Sequence, residues 1–84
     1  MNIDPPSGGF RGPVKRSVTI AGHQTSISLE PVFWDALREA AAGESVPLSA
    51  LVARIDAERI SADDPPNLAS AIRVWLFERC NAPP

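Results

Sequence analysis

Residues 14–30, VKRSVTIAGHQTSISLE, alternate apolar and polar side chains on both sides of Ala21-Gly22-His23-Gln24, and their reading decides the fold. With glycine as the first of two loop residues, this tetrapeptide predicts a type II′ hairpin turn. That register pairs Ile20 with Thr25, Thr19 with Ser26, Val18 with Ile27 and Ser17 with Ser28. One face then carries Val18, Ile20, Thr25, Ile27 and Leu29, and the other Ser17, Thr19, Gln24, Ser26 and Ser28. Both strands sort the same way, and a slip of one residue would turn every apolar side chain outward.

Downstream, nine prolines parse the chain, and none interrupts a periodic apolar stretch. Segment 31–43 opens on Pro31, suited to a first helical position, and closes at Gly43, a common C-terminal cap. Its Phe33, Trp34, Leu37, Ala40 and Ala41 share one helical face. Segment 47–60 repeats the pattern with Leu48, Leu51, Val52 and Ile55, with Ser45 as its cap and Arg54 and Glu58 as an exposed pair. Segment 67–80 is a third helix capped by Asn67, with Leu68, Ala71, Ile72, Trp75 and Leu76 inward and Cys80 read as a small buried hydrophobe. Val74 and Phe77 give this helix a second apolar face. The fold class is therefore α+β, mainly helical: a β-hairpin or ribbon followed by three helices. Residues 1–13 are predicted to be a flexible arm, 14–80 the domain, and 81–84 a frayed tail.

Eighty-four residues allow one domain whose core is marginal alone. One cysteine and one histidine provide neither a disulfide nor a four-ligand zinc site, so no metal or cofactor is expected. Sharing a core with a second copy is the remaining route to stability. The net charge of −2 hides a split: Arg11, Lys15 and Arg16 face only Asp4 over residues 1–29, whereas residues 30–84 hold five arginines against nine acids. Between Asp4 and Glu30 there is no acid, and such a basic stretch suits a polyanion. No apolar run is long enough to span a membrane, and MNIDPPSGGF lacks a signal-peptide layout, so a cytoplasmic location is expected.

Catalytic readings lack parts. His23, the sole imidazole, falls at a turn, Asp63-Asp64 lies in a proline-rich connector, and no glycine loop is built to cradle phosphate. The chain is not expected to be an enzyme.

The ordered combination of the Ile27-Ser28-Leu29 strand core, the helix opening at Glu30-Pro31, the Gly43 turn and LSALVARI resembles the ribbon-helix-helix family of bacterial DNA-binding regulators. The likeness runs from Lys15 to Glu78, with an added N-terminal strand and third helix. It implies a homodimer whose paired strands enter the major groove and whose helices interlock beneath. Carried onto this chain, the base-reading positions are Gln24, Ser26 and Ser28, and the phosphate contacts are Lys15, Arg16, His23, Ser45 and Ser49. Pro47, at the family's phosphate-gripping helix start, removes one N–H donor. The dimer core would hold Ile27, Leu29, Trp34, Leu37, Leu51, Val52, Ile55, Ile72 and Trp75. Two hairpins joined at their second strands would span about 15 Å, too wide for a groove of ~12 Å. Either the first strand peels away as a flanking arm or the sheet serves another purpose.

The expected function is a homodimeric regulator binding duplex DNA through its ribbon. The alternative is a protein-interaction module on the same dimer, antitoxin-like or an assembly factor, with its partner on helix 67–80.

Overall fold

The alternation over residues 14–29 produces two antiparallel strands, Val14–Ile20 (β1) and His23–Leu29 (β2), in the computed structural model, which describes residues 3–81. Among the described residues they form a two-stranded sheet with each other. Ile20 lies opposite His23, Val18 opposite Thr25, Arg16 opposite Ile27 and Val14 opposite Leu29. This register is displaced by two residues from the predicted one, because the loop is Ala21-Gly22 and not Gly22-His23. Both loop residues have positive φ, 51° and 83°, the type I′ pattern whose twist matches that of the strands. A displacement of two preserves the side-chain period, so the predicted faces survive although the partners change.

Three helices follow: Pro31–Gly43 (α1), Leu48–Ile60 (α2) and Leu68–Cys80 (α3). Pro31 does start α1, but Gly43 is its last helical residue rather than its left-handed terminator. That conformation falls to Ser45, with φ 57°. The Val46 N–H donates to the Ala41 carbonyl at 3.0 Å and the Ser45 N–H to that of Ala42 at 3.1 Å, the paired bonds of a Schellman motif. Ser45 therefore ends α1 and does not cap α2, whose N-cap is Pro47 without any side-chain cap. Asn67 caps α3 as expected, its Oδ1 accepting the Ser70 N–H at 2.8 Å.

Thirteen hydrophobic residues form one buried cluster: four from the hairpin, four from α1, three from α2, and Ile72 and Leu76 from α3. No polar or charged side chain is buried among the described residues. Eight of the nine residues assigned to a dimer core are at most 4% exposed within a single chain, Leu29, Leu37, Val52 and Ile72 completely covered. Each such side chain stabilises its own chain by about 1.5–3 kcal/mol. The ninth, Trp75, is half-buried beside Leu51 and Ile55 in a cleft rimmed by Glu44 and Arg54.

Polar clamps fasten the periphery. The Trp34 Nε1–H donates to the Val14 carbonyl at 2.9 Å, tying the start of the ribbon to α1. Arg73 of α3 reaches the β2–α1 junction, its Nε donating to Glu30 Oε1 at 2.9 Å. Arg79 pairs with Glu44 at 3.4 Å and lies 5.4 Å from the Trp75 ring centre. Cys80, expected to be buried, is exposed beyond this clamp. Residues 3–13 form the arm, with a turn closed by the Gly9 N–H on the Pro6 carbonyl at 2.8 Å. Most of the predicted tail, residues 82–84, lies outside the described residues.

Candidate nucleic-acid interface

Because side chains alternate along a strand, burying Val18 and Ile20 on β1 and Ile27 and Leu29 on β2 fixes what stands on the opposite side. Three cross-strand rows result: Lys15 with Ser28, Ser17 with Ser26, and Thr19 with Gln24. All six residues are exposed. The face offers one ammonium, one carboxamide and four hydroxyls, and no acid. Its uncharged members both donate and accept hydrogen bonds, the property needed to match base edges.

The three predicted base-reading residues, Gln24, Ser26 and Ser28, share this surface. Lys15 joins them and stands directly opposite Ser28. Ser17 and Thr19 complete the rows. They were missing from the expected reading set, although their alternation with Val18 and Ile20 marks them as outward. The other phosphate candidates lie elsewhere. Arg16 belongs to the inner side of β1 and holds its guanidinium 5.6 Å from the Trp34 ring centre, at the margin of the ribbon. His23 faces the same side at the tip, exposed beside the turn. Ser45 sits in the left-handed corner after α1, and Ser49 in the first turn of α2, where the Leu48 and Ser49 amides lack a side-chain cap.

Charge is organised around the ribbon. Four arginines of the helical body are ion-paired: Arg38 with Asp35, Arg59 with Asp56, Arg73 with Glu30 and Arg79 with Glu44. Among the described residues, Arg11, Lys15 and Arg16 have no acidic partner of this kind. The Arg73 guanidinium, helped by the Glu30 backbone N–H, holds the Glu30 carboxyl below the usual carboxylate range. Arg73 also donates to the Ser28 carbonyl at 3.4 Å, so one residue steadies both the ribbon's edge and the start of α1. Sequence reasoning missed this role, since no local pattern joins positions 43 residues apart.

Among the described residues no group of three or more His, Cys, Asp or Glu could hold a metal ion, and no helix is long and apolar enough to cross a membrane. An antiparallel two-stranded ribbon leading directly into packed helices defines a ribbon-and-helix domain. Residues 13–80 match the ribbon-helix-helix domain family, and the chain belongs to it. Neither a curated protein nor a solved structure matches the chain.

Proposed function

We propose that this protein binds duplex DNA by placing the outer face of its ribbon in the major groove, and that it acts as a transcriptional regulator. One observation carries the reading: six exposed polar residues in three rows, with no acid, on a ribbon two strands wide. The strand axes of one chain's ribbon lie ~4.8 Å apart, a width that fits a groove of ~12 Å. Arg16 at the ribbon's margin, His23 at its tip and Arg11 of the arm supply phosphate contacts, and the uncapped start of α2 at Ser49 adds amide donors.

The test is a mobility shift over a salt series. Two or three phosphate contacts give a slope of log affinity against log salt of about −2 to −3. Replacing Arg11 and Arg16 with Ala weakens binding to all sequences alike, whereas Gln24→Ala relaxes sequence preference. Absent binding at low salt, or binding indifferent to salt, refutes the proposal.

A second reading rests on α3, where Val74 and Phe77 are 61% and 66% exposed. This bare pair is the contact for a second copy in the regulator, or for another protein in an antitoxin-like or assembly role. Replacing both with Ser leaves DNA affinity intact and abolishes self-association measured by light scattering. A dimer unaffected by the change excludes this face.

A further inference from the structure

One residue, Glu30, separates the end of β2 from the start of α1, and the pitch of the ribbon against the helices is set at this joint. Pro31 confines the Glu30 backbone to the extended region, at φ −60° and ψ 150°, but leaves a range of angles open there. Burial of Val18, Ile20, Ile27 and Leu29 holds the ribbon down, yet hydrophobic burial has no preferred direction. Directional contacts are few. Among the described residues, two side-chain hydrogen bonds reach the strands: Trp34 on the Val14 carbonyl and Arg73 on the Ser28 carbonyl. The first holds β1, the second β2, and both hold the end next to the helices. Arg73 follows Ile72, whose complete burial anchors this part of α3. Its guanidinium lies 5.8 Å from the Phe33 ring centre, with Nε on Glu30 Oε1 at 2.9 Å and Nη2 on the Ser28 carbonyl at 3.4 Å. A rigid planar fork therefore brackets Leu29, gripping the residue before it and the residue after it.

From this bracket we infer that α3 serves DNA reading without touching DNA: Arg73 is a positioning residue that fixes the pitch of the ribbon and so the placement of Gln24 on its base. The inference rests on the DNA-binding reading above and gives the third helix a part in it. The bracket is internal to a chain and recurs in every copy that an assembly contains. Gln24 lies six residues before Glu30, near the far end of β2. At ~3.3 Å per residue the lever is about 20 Å long. A rotation of only ~5° at the joint then carries Gln24 about 1.7 Å sideways, against the ~0.5 Å that a binding constellation tolerates. Displacement tells most at Gln24, because a carboxamide must meet two atoms of one adenine edge at once, whereas serine and threonine hydroxyls discriminate weakly. The other paired arginines leave the joint alone: Arg38 and Arg59 bind acids of their own helices, and Arg79 binds Glu44.

The experiment is selection from a random duplex pool with the wild-type protein, Gln24→Ala, Arg73→Gln, Arg73→Lys and, as a control, Arg38→Gln, each checked for folding by circular dichroism. Gln24→Ala marks the base positions that Gln24 reads. Arg73→Gln should relax discrimination at those same positions by about tenfold, from the opposite end of the ribbon. Arg73→Lys keeps a charge against Glu30 without the fork and should relax them by less. Arg38→Gln should leave the motif unchanged. Should Arg73→Gln fail to fold, Glu30→Gln carries the same expectation. An unchanged preference in folded Arg73→Gln overturns the inference and leaves DNA binding standing. A loss equal on all sequences, or the same relaxation in Arg38→Gln, likewise overturns it. No binding by the folded wild-type protein overturns the DNA-binding reading itself.

Discussion

Dilution tests whether one chain closes its own core. The informative residues are Leu29, Leu37, Val52 and Ile72, which have no accessible surface in the isolated chain, and Trp34 and Leu51 at 2%. Were this core completed by a second chain, folding and association would be one event, and apparent stability would depend on concentration. Each tenfold dilution would then remove about 1.4 kcal/mol per dimer, so going from 100 μM to 1 μM would remove ~2.7 kcal/mol. For two chains unfolding together, that lowers the thermal midpoint by roughly 5–10 °C. Covered within one chain, these residues predict otherwise. Pairing through the bare Val74 and Phe77 hides none of them, so the midpoint levels off once such dimers have dissociated. Calorimetry across the concentration series, with sedimentation on the same samples, makes the measurement. A midpoint that keeps falling with each decade, with unfolding and dissociation coincident, refutes intrachain closure.

The backbone and the clamps supply further tests. Ala21 and Ser45 hold left-handed φ values at which asparagine and glycine, respectively, are better suited. Ala21→Asn and Ser45→Gly should each raise stability by about 0.5–1 kcal/mol in urea melts, and a loss at either site would contradict the turn geometry. Trp34→Phe deletes the bond to the Val14 carbonyl and leaves a gap among buried side chains. It should cost about 2–4 kcal/mol and speed hydrogen exchange in β1 before the helices; uniform acceleration would deny the clamp. Because Arg73 lowers the Glu30 pKa, the stabilisation from this pair is fully present above about pH 4.3 and is lost as pH falls through the depressed value. Glu30→Gln should therefore flatten the acid limb of a stability–pH curve, and an unchanged limb would remove the pair from the account.

Local chemistry announced most of the fold. Prolines at 31 and 47, the side-chain cap at Asn67 and the apolar spacing over 33–41, 48–55 and 68–76 placed all three helices to within a residue. The faces of the ribbon were equally legible, since a period of two survives a register error of two. The register was not, because Ala21-Gly22 and Gly22-His23 both make two-residue loops suited to the strand twist, and the side-chain alternation is the same in either. Gly43 misled for a related reason: it advertises a helix end, but the left-handed residue is Ser45, held there by two backbone bonds. Arg73 and Arg79 were invisible as clamps because their partners lie 43 and 35 residues away. Chain length alone said nothing of how much apolar surface β1 and α3 cover within one chain. With them, one chain buries nearly everything that had been set aside for a partner.

The charge bookkeeping also resolves once positions replace totals. Five arginines face nine acids over residues 30–84, and four of those arginines are tied to Asp35, Asp56, Glu30 and Glu44. Such half-exposed pairs add little stability, ~0–1 kcal/mol each, but they keep those cations turned toward the body's own acids. Of the basic groups outside these pairs, Lys15 and Arg16 stand on β1 and Arg11 in the arm. At physiological salt a field decays over about 8 Å, and a helix layer lies ~10 Å behind a sheet. Acids on the far side of the helices are then largely screened from a polyanion at the outer face, and the excess of two positive charges over residues 1–29 (three basic groups less Asp4) favours its approach. In dilute salt the decay length grows to about 30 Å, and the body's negative charge is felt there too. A net charge of −2 is thus compatible with a polyanion on a ribbon face that carries Lys15 and no acid.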